Sequence, residues 1–182
     1  MKVAAVFGSR NPKGQTAQAA EAFLGGLDGK EMCIERFFLP TMKMERCRQC
    51  NDDGWGICRS EGQCVIEDDF AGLVGKIAKA DLVVIANPVY FGDLSESLRA
   101  FLDRLRRTCR NEVGKPVAEG RRAVGICVAG GGGGGAPDSI ASLDKVLRIC
   151  GFDVVDMIPV RRQNLQAKLD VLKLAAKSLP IG

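Results

Sequence analysis

Continuous apolar runs alternate with helically spaced apolar positions along the whole chain. Val3 to Phe7 predicts a first strand, followed by a glycine-bounded turn and helical spacing from about Gln15 to Leu27. Met32 to Leu39 predicts a second strand that stops at Pro40. Phe70, Leu73, Val74 and Ile77 then recur at helical intervals, with Asp68 and Asp69 placed to meet the positive end of the helix dipole. The run from Asp81 to Asn87, with Leu82 to Ala86 uninterrupted, predicts a central strand covered on both faces. Leu94, Leu98, Phe101, Leu102 and Leu105 mark another amphipathic helix. Ala123 to Ala129 predicts a strand, Ile140 to Cys150 a helix, Val154 to Val160 a fifth strand and Leu165 to Leu179 a closing helix.

Five β–α units in succession predict an α/β fold: a five-stranded parallel sheet with helices on both faces, in three layers. No repeat or linker divides the 182 residues, which read as a single domain carrying a cysteine-rich loop at about 41–66. The one low-complexity segment, Gly130 to Gly135, falls where a strand ends and a helix begins.

Composition narrows the chemistry mainly by omission. Histidine is absent, so His-based nucleophilic triads, His-ligated zinc and imidazole acid–base catalysis are excluded. The net charge of +4 is modest. The basic group Arg99, Arg104, Arg106, Arg107 and Arg110 is interrupted by acids, so it reads as a solvated helix face, with a nucleic-acid surface the weaker alternative. No apolar run approaches a membrane span, and the start of the chain does not read as a signal peptide. The expectation is a cytoplasmic protein with reduced or metal-bound thiols.

Parallel sheets bind ligands outside the carboxyl ends of their strands. Three loops stand there. Gly8 to Thr16 leads into a helix, and its amides with the Ser9 and Thr16 hydroxyls suit a phosphate at a helix N-terminus. Five residues separate Gly8 from Gly14, and Gln15 stands where a Walker A loop has lysine, so a monophosphate fits better than a triphosphate. A well-capped strand-to-helix turn explains the same residues. In Asn87 to Gly92, the only tyrosine, Tyr90, sits beside Phe91, and such rings either cover a planar ligand or pack under the next helix. The six glycines allow close backbone approach or form a mobile connection.

Four of the eight cysteines, Cys47, Cys50, Cys58 and Cys64, share the loop after the second strand, spaced C-x2-C-x7-C-x5-C. The other four lie singly in apolar or amphipathic stretches. Clustered thiolates are metal or iron–sulfur ligands. A four-thiolate zinc site is the second reading, although only the first pair has the C-x2-C spacing. A loop of reduced or partly disulfide-bonded thiols is the third. Trp55, the only tryptophan, reads as a loop anchor.

With these pieces the chain resembles the NADPH-dependent FMN reductase family and its iron–sulfur flavoprotein branch, both flavodoxin-like. The resemblance rests on Gly8-Ser9-Arg10 through Gln15-Thr16, on Asn87 to Gly92 with Phe101-Leu102-Asp103-Arg104 downstream, on the glycine run, and on Cys58 to Asp69. It implies that Ser9, Arg10, Gln15 and Thr16 hold the FMN phosphate. Pro88, Val89, Tyr90, Phe91 and Gly92 would line the ribityl chain and ring, with Gly131, Gly132 and Gly133 approaching from the third loop. It further implies NAD(P)H as electron donor, a small-molecule or ferredoxin-like acceptor, a homodimer or homotetramer, and a [4Fe–4S] cluster on Cys47, Cys50, Cys58 and Cys64. The branch typically has two residues between its second and third cysteines; here Asn51 to Ile57 intervene, with Asp53 where the third ligand is expected. A loop leaving the second strand is expected on the cofactor face, close to the flavin.

Overall fold

The structure is a computed structural model and describes residues 1–27 and 31–179. Its sheet has five parallel strands in the order β2-β1-β3-β4-β5. These are β1 (Lys2–Phe7), β2 (Cys33–Phe38), β3 (Leu82–Pro88), β4 (Arg122–Ala129) and β5 (Asp153–Arg161). The helices are α1 (Gln15–Leu24), α2 (Phe70–Ile77), α3 (Glu96–Thr108), α4 (Ala136–Cys150) and α5 (Leu165–Lys177). Every residue of β3 is buried, as its unbroken apolar run requires.

Strand side chains alternate between two cores. Ala4, Val6, Val83 and Ile85 join α2, α3 and α4 on one face, while Val3, Ala5, Phe7 and Val84 join α1 and α5 on the other. The chain leaves β1 toward β2 and then returns to β3 on the other side, so the strand order reverses between β1 and β3. That reversal opens a crevice at the carboxyl ends of the two strands. Among the described residues no helix is long and apolar enough to cross a membrane.

Two element ends differ from expectation for local reasons. Helix α1 stops at Leu24, not Leu27, because Gly25-Gly26 turns the chain. A Cβ on Gly26 would strike the Lys173 backbone of α5, so the glycine permits the two helices to approach. β2 ends at Phe38, and Leu39–Thr41 forms one 3-10 turn around Pro40.

The larger correction concerns Arg104, which the charge pattern places on a solvated face. Its side chain is 1% exposed and forms an ion pair with Asp68, itself 0% exposed. Nη1 donates to Asp68 Oδ2 at 2.6 Å, and Nη2 donates to Oδ1 at 2.9 Å. Asp68 also accepts from the Glu45 and Phe70 amides, at 2.8 and 3.1 Å, so its helix-start role is only part of its work. Arg104 Nη1 donates to the Glu45 carbonyl at 3.0 Å, and the guanidinium lies 4.2 Å from the Phe70 ring centroid. Asp69 and Lys43 bond each other beside this pair, Lys43 N to Oδ2 and Asp69 N to the Lys43 carbonyl. The long segment between Met42 and Asp69 contains neither helix nor strand, and these bonds close its base against α3.

Burial pushes the Asp68 carboxyl up, but the hydrogen bonds from Arg104 and from two backbone amides outweigh it and hold the group below the usual carboxylate range. A depressed folded pKa contributes stability that is complete above the unfolded value of about 3.9 and is lost as pH falls through the folded value. Asp68→Asn is therefore expected to cost about 3–5 kcal/mol in urea unfolding at pH 7, because it strands a buried guanidinium. The gap between wild type and variant should narrow as pH falls from 5 toward 2, and Asp68→Leu with Arg104→Met should cost less than Asp68→Asn alone.

Candidate functional site

The crevice is built by three strand-end loops. Gly8, the first residue after β1, donates its amide to the Ala86 carbonyl at 2.8 Å and accepts from Ser97 Oγ at 3.2 Å. A Cβ there would lie 2.6 Å from Ser95 Oγ and 2.8 Å from Asn87 Oδ1, so only glycine lets β1 and β3 close at this point. The turn continues through Asn11, whose Oδ1 accepts the Lys13 amide at 2.9 Å. It delivers the chain to α1, which has neither a side-chain N-cap bond nor an acidic residue in its first turn. The positive end of the helix dipole is thus left for an external anion. Ser9 Oγ is buried there with no hydrogen-bond partner, and Thr16 is 5% exposed. A buried hydroxyl without a partner costs free energy unless a ligand satisfies it.

The second loop is held from below by Asn87, which is 0% exposed. Its Oδ1 accepts the Ser95 amide at 3.0 Å, and its Nδ2 donates to the Pro88 carbonyl at 2.7 Å and to Ser139 Oγ at 3.3 Å. Val89 donates to the Val128 carbonyl at 2.9 Å. Tyr90 and Asp93 then exchange backbone bonds across a tight turn with φ of 51° at Phe91 and 81° at Gly92. Two successive left-handed residues define a type I′ turn, a conformation that costs a phenylalanine about 1–2 kcal/mol. The turn carries Phe91 fully into solvent and leaves Tyr90 half-exposed, so neither ring packs under α3. Asp93 braces the turn: the Leu94 amide and an ion pair with Arg99 hold its carboxyl below the usual range against the opposing effect of burial.

The glycine loop closes the third side. Gln163 Nε2 donates to the Gly132 carbonyl at 3.0 Å, and a Cβ on Gly133 would run into the same glutamine. Gly135, at φ 75°, packs against Gly92.

The resulting cleft has a volume of about 490 Å³. Ser9, Gln15 and Thr16 line it from the first loop. Pro88, Val89, Tyr90 and Phe91 line it from the second, and Gly131 from the third. Arg10 instead donates to the Pro40 carbonyl at 3.1 Å, Gly92 faces Gly135, and Gly132 and Gly133 face Gln163. Val128 and Gly130 also line the cleft. The sequence signal for both was available, since they end β4 opposite Pro88 and follow it directly.

The four clustered cysteines all line a second, much smaller cavity of about 20 Å³, together with Arg104, Arg107 and Thr108. The Arg104 guanidinium stands beside Cys64. Among the described residues no three His, Cys, Asp or Glu groups come close enough to hold one metal ion. The loop does leave β2 at the cofactor end of the sheet, but it then runs down α3. Ser97 touches the first loop at the top of that helix, whereas Arg107 lies ten residues further on, about 15 Å along the axis. The cysteine cavity therefore does not adjoin the cleft as expected. Trp55 anchors the loop, with the Arg107 guanidinium 4.6 Å from its ring centroid.

The sheet order, with its reversal between β1 and β3 and a cleft at that point, defines a flavodoxin-like α/β protein. The chain belongs to the NADPH-dependent FMN reductase family, whose sequence pattern matches residues 1–168. It is 33% identical over 125 residues to an iron-sulfur flavoprotein of Methanocaldococcus jannaschii, covering 66% of this chain and 62% of that protein, so it spans under two thirds of that relative. An iron-sulfur flavoprotein of Methanosarcina thermophila is 30% identical over 167 residues, 85% of this chain and 77% of that one. In fold the chain is similar to an NAD(P)H:quinone oxidoreductase from Methanothermobacter marburgensis, with a TM-score of 0.73 at 20% identity over 99% and 96% of the two chains.

Exposure divides the thiols. Cys109, Cys127 and Cys150 are buried, and burial pushes the Cys127 thiol up to about 12. Native, metal-free protein at pH 8 should be alkylated by iodoacetamide at Cys33 and at the four loop cysteines, and at none of the buried three. Peptide mass mapping reads the result, and labelling of Cys127 at loop-cysteine rates would contradict the packing beneath the second loop.

Proposed function

We propose that the chain is an FMN-dependent NAD(P)H oxidoreductase that passes electrons from a nicotinamide cofactor through FMN to a small-molecule or iron–sulfur acceptor. The observation that carries this is the orphaned Ser9 hydroxyl at the uncapped start of α1, opening onto a cleft with aromatic and backbone walls. Family membership supports it. Ser9, Thr16, Gln15 and the α1 amides would hold the phosphate. Pro88, Val89, Tyr90 and Phe91 would flank the ribityl chain and ring, and Gly131 would let the ring's edge approach backbone. Arg10, Gly92, Gly132 and Gly133 act at one remove, by charge and by shaping the loops. FMN, when bound, supplies the hydride-accepting and electron-donating chemistry; the protein orients it and excludes water.

A second reading, an iron–sulfur flavoprotein acting as electron carrier for a ferredoxin-like partner, is favoured by the four cysteines around one cavity and by the names of the relatives. Sulfurs spread around a cavity suit a [4Fe–4S] cluster, in which each thiolate binds a different iron, better than a single zinc ion. A cavity of about 20 Å³ is too small for a cluster, so Cys47, Cys50, Cys58 and Cys64 would have to spread while the Asp68–Arg104 base stayed closed. The fully exposed Phe91 at the cleft rim supports a homodimer or homotetramer whose second copy covers it. The cytoplasm is the compartment proposed.

Reconstitution with FMN followed by gel filtration tests the cofactor reading. Wild type should retain flavin and oxidise NAD(P)H, and Ser9→Ala should bind FMN about 10–100-fold more weakly, the effect of one hydrogen bond to a charged group. Equal flavin affinity in wild type and variant would contradict the cradle. Reduction by dithionite or ferredoxin, but not by NAD(P)H, would favour the carrier.

A further inference from the structure

At the far end of α3 from the cleft lies a recess of about 350 Å³, lined by Trp55, Arg59, Arg107, Arg110 and Asn111. Its size lies within the range of small-molecule sites, and no acidic residue lines it. We propose that this recess is a binding site for a planar aromatic anion, separate from the cofactor cleft.

Two of its walls, Arg107 and Asn111, are fixed in advance. Arg107 Nη1 donates to the Gly54 carbonyl at 2.9 Å while its guanidinium lies over the indole. Asn111 Nδ2 donates to the Cys58 carbonyl at 2.7 Å, and its Oδ1 accepts the Gly114 amide at 2.9 Å. A preformed wall loses little entropy on binding.

Its charge is not neutralised. Elsewhere on this stretch the cations have partners: Arg106 pairs with Asp103 at 3.0 Å, and Lys115 with Glu119 at 3.3 Å. Within the recess Arg59 has only Asp53, at 3.4 Å, with both side chains more than half exposed, and such a pair holds it weakly. Arg110 is exposed and makes no hydrogen bond or ion pair among the described residues. The guanidiniums of Arg59 and Arg107 thus lie 5.8 and 4.6 Å from the Trp55 ring centroid and Arg110 lines the same recess, with a single loosely held carboxylate nearby.

That combination selects its ligand. Guanidinium groups present paired N–H donors that match a carboxylate or sulfonate, and the indole together with the planar guanidinium it carries supplies surface on which a ring stacks. An aliphatic anion would leave the indole unused, and a neutral arene would leave the arginines unpaired. Because Arg107 also lines the cysteine cavity, the ligand would lie beside the cysteine loop.

Isothermal titration of FMN-saturated protein tests this with three probes: 2-naphthoate, its uncharged analogue 2-naphthamide, and acetate. The naphthoate should bind saturably at one site, and the other two at least about tenfold more weakly, as loss of a charge-assisted bond or of the ring contact requires. Arg110→Gln, which breaks no hydrogen bond or ion pair among the described residues, should weaken naphthoate binding at least about fivefold. Arg59→Gln should do the same, with FMN retention unchanged in both. Equal binding of naphthoate and naphthamide, absence of naphthoate binding, or affinity unaffected by both arginine variants would overturn the site. Retained flavin in the same samples keeps that failure distinct from a failure of the cofactor reading.

Discussion

The buried pair of Asp68 and Arg104 determines where the cysteine loop lies. A long segment without helix or strand has few means of holding a position, and here two closely bonded charges at its base provide it. Removing both charges from water is expensive, and their attraction offsets that cost only when the remaining donors and acceptors are also satisfied. Asp68 accepts two backbone amides in addition to the guanidinium, and Arg104 donates to the Glu45 carbonyl while lying on the Phe70 ring; its buried Nε is the one donor of the pair left without a hydrogen-bond partner among the described residues. The pair thus ties both ends of the loop to α3. It also brings a fixed positive charge beside Cys64.

The cleft at the strand ends depends on different contacts. Its three loops are held by the Asn87 network, by the close passage of Gly8 beside Asn87 and Ser95, and by Gln163 on the glycine loop. None of these involves the cysteine loop. The protein therefore carries two chemical regions on one helix: the cleft at the start of α3, and the thiols with their arginine-rich surroundings toward its end.

The strands and helices were legible because a parallel sheet covered on both faces demands unbroken apolar runs, and Leu82 to Ala86 is such a run. The turn from Gly8 to Thr16 was legible because glycine, hydroxyls and a following helix are local in sequence. Arg104 was not read correctly, although its spacing carried a clue. It lies three residues after Phe101 and four before Thr108, on the buried face of α3. Its charge disguised that, and its partner Asp68 is 36 residues away. The need for glycine at position 8 likewise arises from Asn87 and Ser95, which only the folded sheet brings near. The course of the cysteine loop down α3 has no local signature, since it depends on bonds such as Asn111 to Cys58 and Arg107 to Gly54.

Amide hydrogen exchange with and without FMN tests the central claim most directly, because it maps where the flavin is held without assuming any residue's role. The account predicts new protection in residues 9–16, 87–92 and 130–135 and unchanged exchange in the cysteine loop between residues 47 and 64. Protection of the cysteine loop, with the three strand-end loops unchanged, would contradict it.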